Sequence, residues 1–193
     1  MDIKIFFIIL SMICGLSAFL PYFVDIFKLK TKPHAYTWLI WTITQGTAVA
    51  GIFHGGGGWA GLELAIGTIL VFAIFLFSLK YGTRNITEPD TIVSVLLLFA
   101  ILIWWQLKRP ILSMIMVSAI DIAGYIPSLR KSFKDPWSET LSSWALFALS
   151  DIFAIMALNE INFLTATYLA SIGLANLVLF TLCYMRRQHI SIQ

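Results

Sequence analysis

The sequence predicts an all-α membrane protein with seven transmembrane helices. Three observations support this fold class. Of its 193 residues, 59% are hydrophobic and only 12% are charged, whereas soluble proteins contain about 45–50% apolar and about 25% charged residues. Apolar runs long enough to cross a bilayer recur along the whole chain, and the first three match the last three at one offset. This composition excludes a soluble enzyme, a disordered chain and a nucleic-acid-binding protein.

The predicted spans are runs of about 17–25 mostly apolar residues, the length that crosses a bilayer. They cover about residues 4–24, 36–54, 59–79, 91–107, 110–129, 139–158 and 163–185. The fourth run is short but very apolar, and it closes with Trp104 and Trp105, as interfacial aromatic belts do. We interpret the first run as a span rather than a signal peptide, because no small-residue cleavage site follows it.

The distribution of lysine and arginine predicts the orientation. Cytoplasmic loops of membrane proteins carry an excess of these residues. With the N-terminus outside, the inner segments hold ten of the 13 basic residues: Lys28, Lys30, Lys32, Lys80, Arg84, Arg130, Lys131, Lys134, Arg186 and Arg187. The outer segments hold Lys4, Lys108 and Arg109. The sequence therefore predicts an N-out, C-in protein of the cell membrane.

An internal repeat relates spans 1–3 to spans 5–7. An ungapped offset of 106 residues aligns Pro21 with Pro127, Trp38 with Trp144, Gln45 with Asp151 and Gly67 with Gly173. We predict a first three-helix repeat at 1–82, a linker helix at 83–109 and a second repeat at 110–193. The linker makes the repeats parallel, and transporters of this kind bind their substrate near the midplane between the halves. A duplicated passive scaffold is the alternative.

The 3-1-3 arrangement, with a proline near the inner end of spans 1 and 5, carries a family resemblance. The segments LPYFVDIFK at 20–28 and IPSLRKSFK at 126–134 stand where PQ-loop proteins carry Pro-Gln, although Tyr22 and Ser128 follow the prolines here. The chain resembles the SWEET, SemiSWEET and PQ-loop superfamily and, more distantly, PnuC-like vitamin transporters and the KDEL receptor. The resemblance implies alternating-access transport of a small polar solute, a sugar first, otherwise an amino acid or a vitamin precursor.

Polar side chains near the middle of the spans are the candidate substrate ligands. A charged group at the bilayer centre costs about 2.5–3.5 kcal/mol on insertion scales, so such residues are candidates for function. Gln45 and Asp151 occupy matched positions in spans 2 and 6. Asn176 in span 7 resembles, by its position, the asparagine that holds the solute in SWEET proteins. These residues predict a site between the repeats.

Trp38 and Trp144 are the predicted aromatic walls of that site. Each precedes Gln45 or Asp151 by seven residues, which is about 10.5 Å along a helix and nearly the same face. Aromatic faces beside amide and carboxylate groups suit a sugar, a nucleoside or an amino acid. Helix packing near the inner interface is the alternative for this pair, and it is the preferred interpretation for Trp41.

Asp121, in span 5, is the candidate for proton coupling. The sequence presents it as an isolated acid with no basic residue in any span to pair with. PQ-loop carriers that use protons place an acid on this span, and the resemblance implies the same role here. Two alternatives stay open for Asp121 and Asp151. One acid could stay ionised and pair with a cationic substrate, or the acids could only make interhelical hydrogen bonds, to Ser150, Tyr125 or Asn176.

The remaining expectations concern gating, packing and partners. Pro21 and Pro127 would kink their helices and permit a gate, Gly67 and Gly173 would allow close helix approach, and Glu63 would lie nearer water than the site. We predict no cofactor, no metal site, no nucleic-acid partner and no enzymatic activity. The expected partners are a small polar solute and membrane lipid, with protons and a second copy of the chain as open alternatives. A ligand-binding receptor of the KDEL-receptor type is the alternative function.

Overall fold

The computed structural model describes residues 3–104, 106 and 109–191. Over these residues the chain forms seven α-helices and a short 3-10 helix at Pro136–Ser138, with no strand. Trp105 and Lys108, used above for the fourth span and for the charge count, lie outside the described residues. The α-helices are α1 (Ile3–Phe27), α2 (Ala35–His54), α3 (Trp59–Tyr81), α4 (Glu88–Trp104), α5 (Pro110–Lys134), α6 (Leu141–Ala157) and α7 (Phe163–Arg187).

Four described helices, α1, α3, α5 and α7, are long and apolar enough to cross a membrane. Helix α6 is apolar but has only 17 residues. Large hydrophobic side chains cover the outer surface: Leu20 is 67% exposed and Ile69 is 69% exposed. An apolar surface of this extent is unfavourable in contact with water, so the chain is an α-helical membrane protein.

The helices pack in a regular pattern. Helix α3 contacts both α1 and α2, and α7 contacts both α5 and α6. Helix α1 packs along α6, while α2 packs along α5; α4 lies against α5 and α2. Successive helices are antiparallel, so α1, α3, α5 and α7 end on one side of the molecule, where Lys30, Lys32, Lys134 and Arg187 lie together. We call this side the basic end.

An ion pair ties α4 to α5 at the basic end. Arg130 donates from Nε to Asp90 Oδ1 at 2.9 Å and from its terminal amine to Asp90 Oδ2 at 2.5 Å. Bidentate arginine–carboxylate pairs are among the stronger polar contacts in proteins. His34, in the loop before α2, lies 3.6 Å from Asp90 and is fully buried. Burial lowers the pKa of the His34 imidazole to about 4 despite the carboxylate beside it, so the ring is neutral at pH 7.

Candidate functional site

A cavity of about 60 Å³ lies among the helices, and its described lining residues come from every helix except α4. The five residues predicted to bind substrate all line it: Trp38, Gln45, Trp144, Asp151 and Asn176. They come from α2, α6 and α7, and the rest of the lining is mainly aromatic and aliphatic. Ligand sites usually enclose about 300–1,000 Å³. The observed conformation therefore has room for a few water molecules only.

Aromatic rings form one wall of the cavity. The ring centroids of Trp38 and Trp41 are 5.0 Å apart, and those of Trp41 and Tyr125 are 4.3 Å apart. Trp144 lies 6.4 Å from Trp38 and 5.9 Å from Trp41. Tilted and edge-to-face contacts of this kind stabilise ring clusters beyond their buried area. Trp41, for which packing is the preferred interpretation, both packs and lines the cavity, so the two interpretations of these tryptophans are compatible.

A hydrogen-bonded chain crosses three helices beside this wall. The Tyr125 hydroxyl on α5 donates to Asn176 Oδ1 on α7 at 2.6 Å, and Asn176 Nδ2 donates to Asp151 Oδ2 on α6 at 2.8 Å. The amide of Asn176 thus uses its acceptor on Tyr125 and a donor on Asp151, which determines its orientation. The interhelical bond considered for Asp151 exists, and the same carboxyl group lines the cavity.

Glu63 is a second acid at the cavity, and its expected place nearer water is corrected by the structure. It lines the cavity on α3, and Ser150 of α6 donates a hydrogen bond to its Oε1 at 3.2 Å. Glycine at position 15 makes room for this carboxylate, because a Cβ there would lie 2.8 Å from Oε1. The sequence missed Glu63 because it stands only four residues into α3 and aligns with a leucine, Leu169, in the second repeat.

The two matched glycines behave differently. A Cβ at Gly173 would lie 2.9 Å from Cβ of Asp151, so this glycine permits the predicted close approach of α7 to α6. A Cβ at Gly67 would meet no atom within 4 Å, and Gly67 lines the cavity. The prediction of close packing is therefore wrong for Gly67, which leaves open space in the cavity wall.

Asp121 lies behind the cavity wall rather than in it. Its side chain is only 1% exposed, and its Oδ1 accepts hydrogen bonds from the hydroxyl groups of Thr44 on α2 and Tyr168 on α7. Both flanking helices therefore supply a hydroxyl donor to this acid, for which the sequence offers no basic partner. Its Oδ2 has no hydrogen-bond partner among the described residues, and Trp41, which lines the cavity, donates to its backbone carbonyl at 3.2 Å.

A buried cluster separates the cavity from the basic end. We call Tyr22, Lys131, Glu139 and Trp144 the Glu139 cluster. Tyr22 and Trp144 each donate to Glu139 Oε2 at 3.1 Å, and Lys131 forms an ion pair with Oε1. Trp144 also lines the cavity, while Glu139 also lines an open vestibule of about 970 Å³ at the basic end. The sequence does not reveal this cluster, because Glu139 and Lys131 stand at the ends of predicted spans.

The two candidate gating prolines adjoin this region without lining the cavity. Pro21 precedes Tyr22 of the Glu139 cluster, so the α1 proline is next to a residue that lies between the cavity and the basic end. Pro127 precedes Ser128, whose hydroxyl donates to Thr37 Oγ1 of α2 at 3.2 Å. Each proline thus lies beside an interhelical or helix–loop polar contact, that of Tyr22 to Glu139 or that of Ser128 to Thr37.

Comparisons of the chain with protein-family models, with curated proteins and with solved structures find no match. The function is therefore inferred from the cavity, the Glu139 cluster and the packing of the helices.

The Glu139 cluster predicts an unequal response to removing two lysines. Lys131→Met leaves Glu139 buried without its cation, which should cost about 3–5 kcal/mol of stability. Lys134→Met, on an exposed lysine one turn away, should change stability by less than about 0.5 kcal/mol. Adding Glu139→Gln to Lys131→Met should recover much of the loss. Thermal unfolding of the detergent-purified proteins measures these differences, and equal losses for the two lysine variants would contradict the prediction.

Proposed function

We propose that the protein is a transporter that moves a small polar solute through the cavity by alternating access. The observation that carries this proposal is the lining of one central cavity by mid-helix polar groups and aromatic rings, with a buried polar cluster between it and the basic end. A pathway with a site in the middle and a closed gate on one side is what alternating access requires.

The helix packing supports two parallel repeats joined by a linker helix. The contacts of the first three helices correspond to those of the last three. The contact of α1 with α6 corresponds to the contact of α5 with α2. Helix α3 contacts α1 and α2, just as α7 contacts α5 and α6. A two-fold axis along the membrane normal has this effect. We therefore propose repeats at 1–82 and 110–193, a linker at 83–109 and likeness to the SWEET and PQ-loop superfamily.

The Glu139 cluster supplies the gate in this proposal. The cavity is too small for a solute in the observed conformation, so the helices around it have to separate. Breaking the bonds of Glu139 to Tyr22 and Trp144 would connect the cavity with the vestibule at the basic end. The proline at position 21 removes a backbone hydrogen bond in α1 next to this contact and so lowers the cost of bending there.

The proposed topology, N-out with seven spans, predicts the labelling of two single cysteines. In a Cys14→Ser, Cys183→Ser background, a cysteine at His54 should react with a membrane-impermeant maleimide added to whole cells. A cysteine at Lys30 should react only after permeabilisation, because it lies at the basic end. Both positions are exposed at helix termini or in a loop. The reverse pattern at both positions would contradict the topology.

The cavity predicts which substitutions impair transport. Asp151→Asn and Gln45→Ala should each lower solute uptake in proteoliposomes by about tenfold or more while the protein stays folded, because each removes a polar contact to the solute. Glu160→Gln and Gln188→Ala are the matched controls, since both residues are exposed outside the helices. Uptake of a labelled hexose, amino acid and organic cation is measured. Unchanged uptake of a transported solute in both cavity variants would contradict the site.

Proton coupling through Asp121 predicts a gradient-dependent flux. One oxygen of this buried carboxyl group has no partner among the described residues and lies behind a cavity wall, where a movement of α2 or α7 could expose it to a proton. Wild-type uptake should rise with an inward proton gradient, whereas Asp121→Asn should still exchange solute but ignore the gradient. Wild-type flux that is indifferent to pH, with an unaltered variant, would make Asp121 a structural residue.

A further inference from the structure

We propose that the cavity binds an organic cation, a compound whose ammonium group lies between Asp151 and Glu63. This inference rests on the proposed function, because it names the class of solute that the transporter would carry. It specifies that the solute is positively charged, that the aromatic wall contacts it and that Gln45 recognises its polar part. Three independent features of the cavity support it: the two acids, the aromatic rings and Gln45.

The charge of the cavity lining favours a cationic ligand. Asp151 on α6 and Glu63 on α3 both line it, and no lysine, arginine or histidine is among the described residues of its lining. Ser150, next to Asp151 in sequence, bonds to Glu63, so the two acids belong to the same part of the wall. A carboxylate in a confined site needs an opposite charge to offset the loss of water. With no basic side chain in the lining, a cationic ligand would supply that charge.

The aromatic wall of the cavity also favours an ammonium group. Trp38, Trp41, Trp144 and Tyr125 form a continuous set of rings across the cavity from three helices. Aromatic faces attract ammonium groups, and tryptophan does so best, with a gain of about 2 kcal/mol or more when the cation is desolvated. The rings also contact the methyl or methylene groups of such a ligand. This combination favours an organic ammonium ion over a neutral sugar, because a neutral sugar has no charge for the two acids to attract.

Gln45 independently indicates a polar group on the ligand. Its side chain is only 6% exposed and lines the cavity, yet no hydrogen bond of its amide occurs within the described part of the chain. Buried polar groups in proteins are ordinarily hydrogen-bonded. Asn176, in the same lining, already has a partner at each end of its amide. The free amide of Gln45 is therefore the group available to a hydroxyl, carbonyl or amide of the ligand.

The test compares a cation with its uncharged isostere. Choline and 3,3-dimethylbutan-1-ol have the same shape and the same hydroxyl group, but only choline is charged. Binding to the purified full-length protein is measured by tryptophan fluorescence, with sodium chloride at equal ionic strength as the salt control and glucose as a neutral solute. Tetramethylammonium and ethanolamine extend the set of cations. We expect saturable binding of at least one cation and at least a tenfold preference for choline over its isostere.

Substitutions locate that preference. Asp151→Asn and Glu63→Gln should each weaken cation binding by about tenfold, and the double variant should bind choline and the isostere equally. Glu160→Gln, on an exposed acid between α6 and α7, should change nothing. Gln45→Leu should weaken choline, which has a hydroxyl group, more than tetramethylammonium, which has none. Circular dichroism and gel filtration establish that each variant is folded.

The outcomes separate this inference from the proposed transport. Equal binding of choline and its isostere by the wild type, cation binding unaffected in the double variant, or no saturable binding of any of the cations would overturn the inference. Uptake of a neutral solute without cation binding would overturn it while leaving transport intact. Charge-selective binding with no cation flux in proteoliposomes would support the cation site and reject the transport proposal.

Discussion

The burial of Glu139 is the constraint on which the arrangement of this protein depends. Its carboxylate is only 1% exposed and is bonded by groups from α1, α5 and α6. A buried charge is tolerated when it is paired and fully hydrogen-bonded, so these helices have to converge at one level. That convergence closes the cavity toward the basic end. Lys131 holds the loop before α2 as well, because its amine donates to the carbonyl of Lys32 at 2.8 Å.

The matched halves of the chain carry different chemistry at their matched positions. Gln45 and Asp151 align and both line the cavity, whereas Gly67 lines the cavity and its match, Gly173, packs against Asp151. The second half supplies the acid and the close packing, and the first half supplies the amide and the open space. Glu63 then adds an acid that has no counterpart at the aligned position, Leu169. The lining of the cavity is therefore asymmetric, and in the proposed transporter it would bind one end of a solute differently from the other.

The helices and much of the cavity lining were predictable because the signals are local. A membrane excludes unpaired backbone groups, so each long apolar run has to be a helix, and the observed α-helices agree with the predicted spans to within a few residues. Trp38, Gln45, Trp144, Asp151 and Asn176 were found by their position in the middle or inner part of a span. Glu63 and Glu139 were missed, because acids near span ends are usually solvated and only their packing partners bury them.

The sequence by itself determined that the chain is helical, that it belongs in a membrane and which polar residues stand at mid-span, because hydropathy and charge act residue by residue. The tertiary structure decided which of these residues share a cavity. It placed Asp121 behind the wall with Thr44 and Tyr168, and it brought Glu63 to Ser150. These contacts join residues that are far apart in the chain, and they depend on how each helix is rotated about its own axis. That rotation follows from the packing of all the helices together.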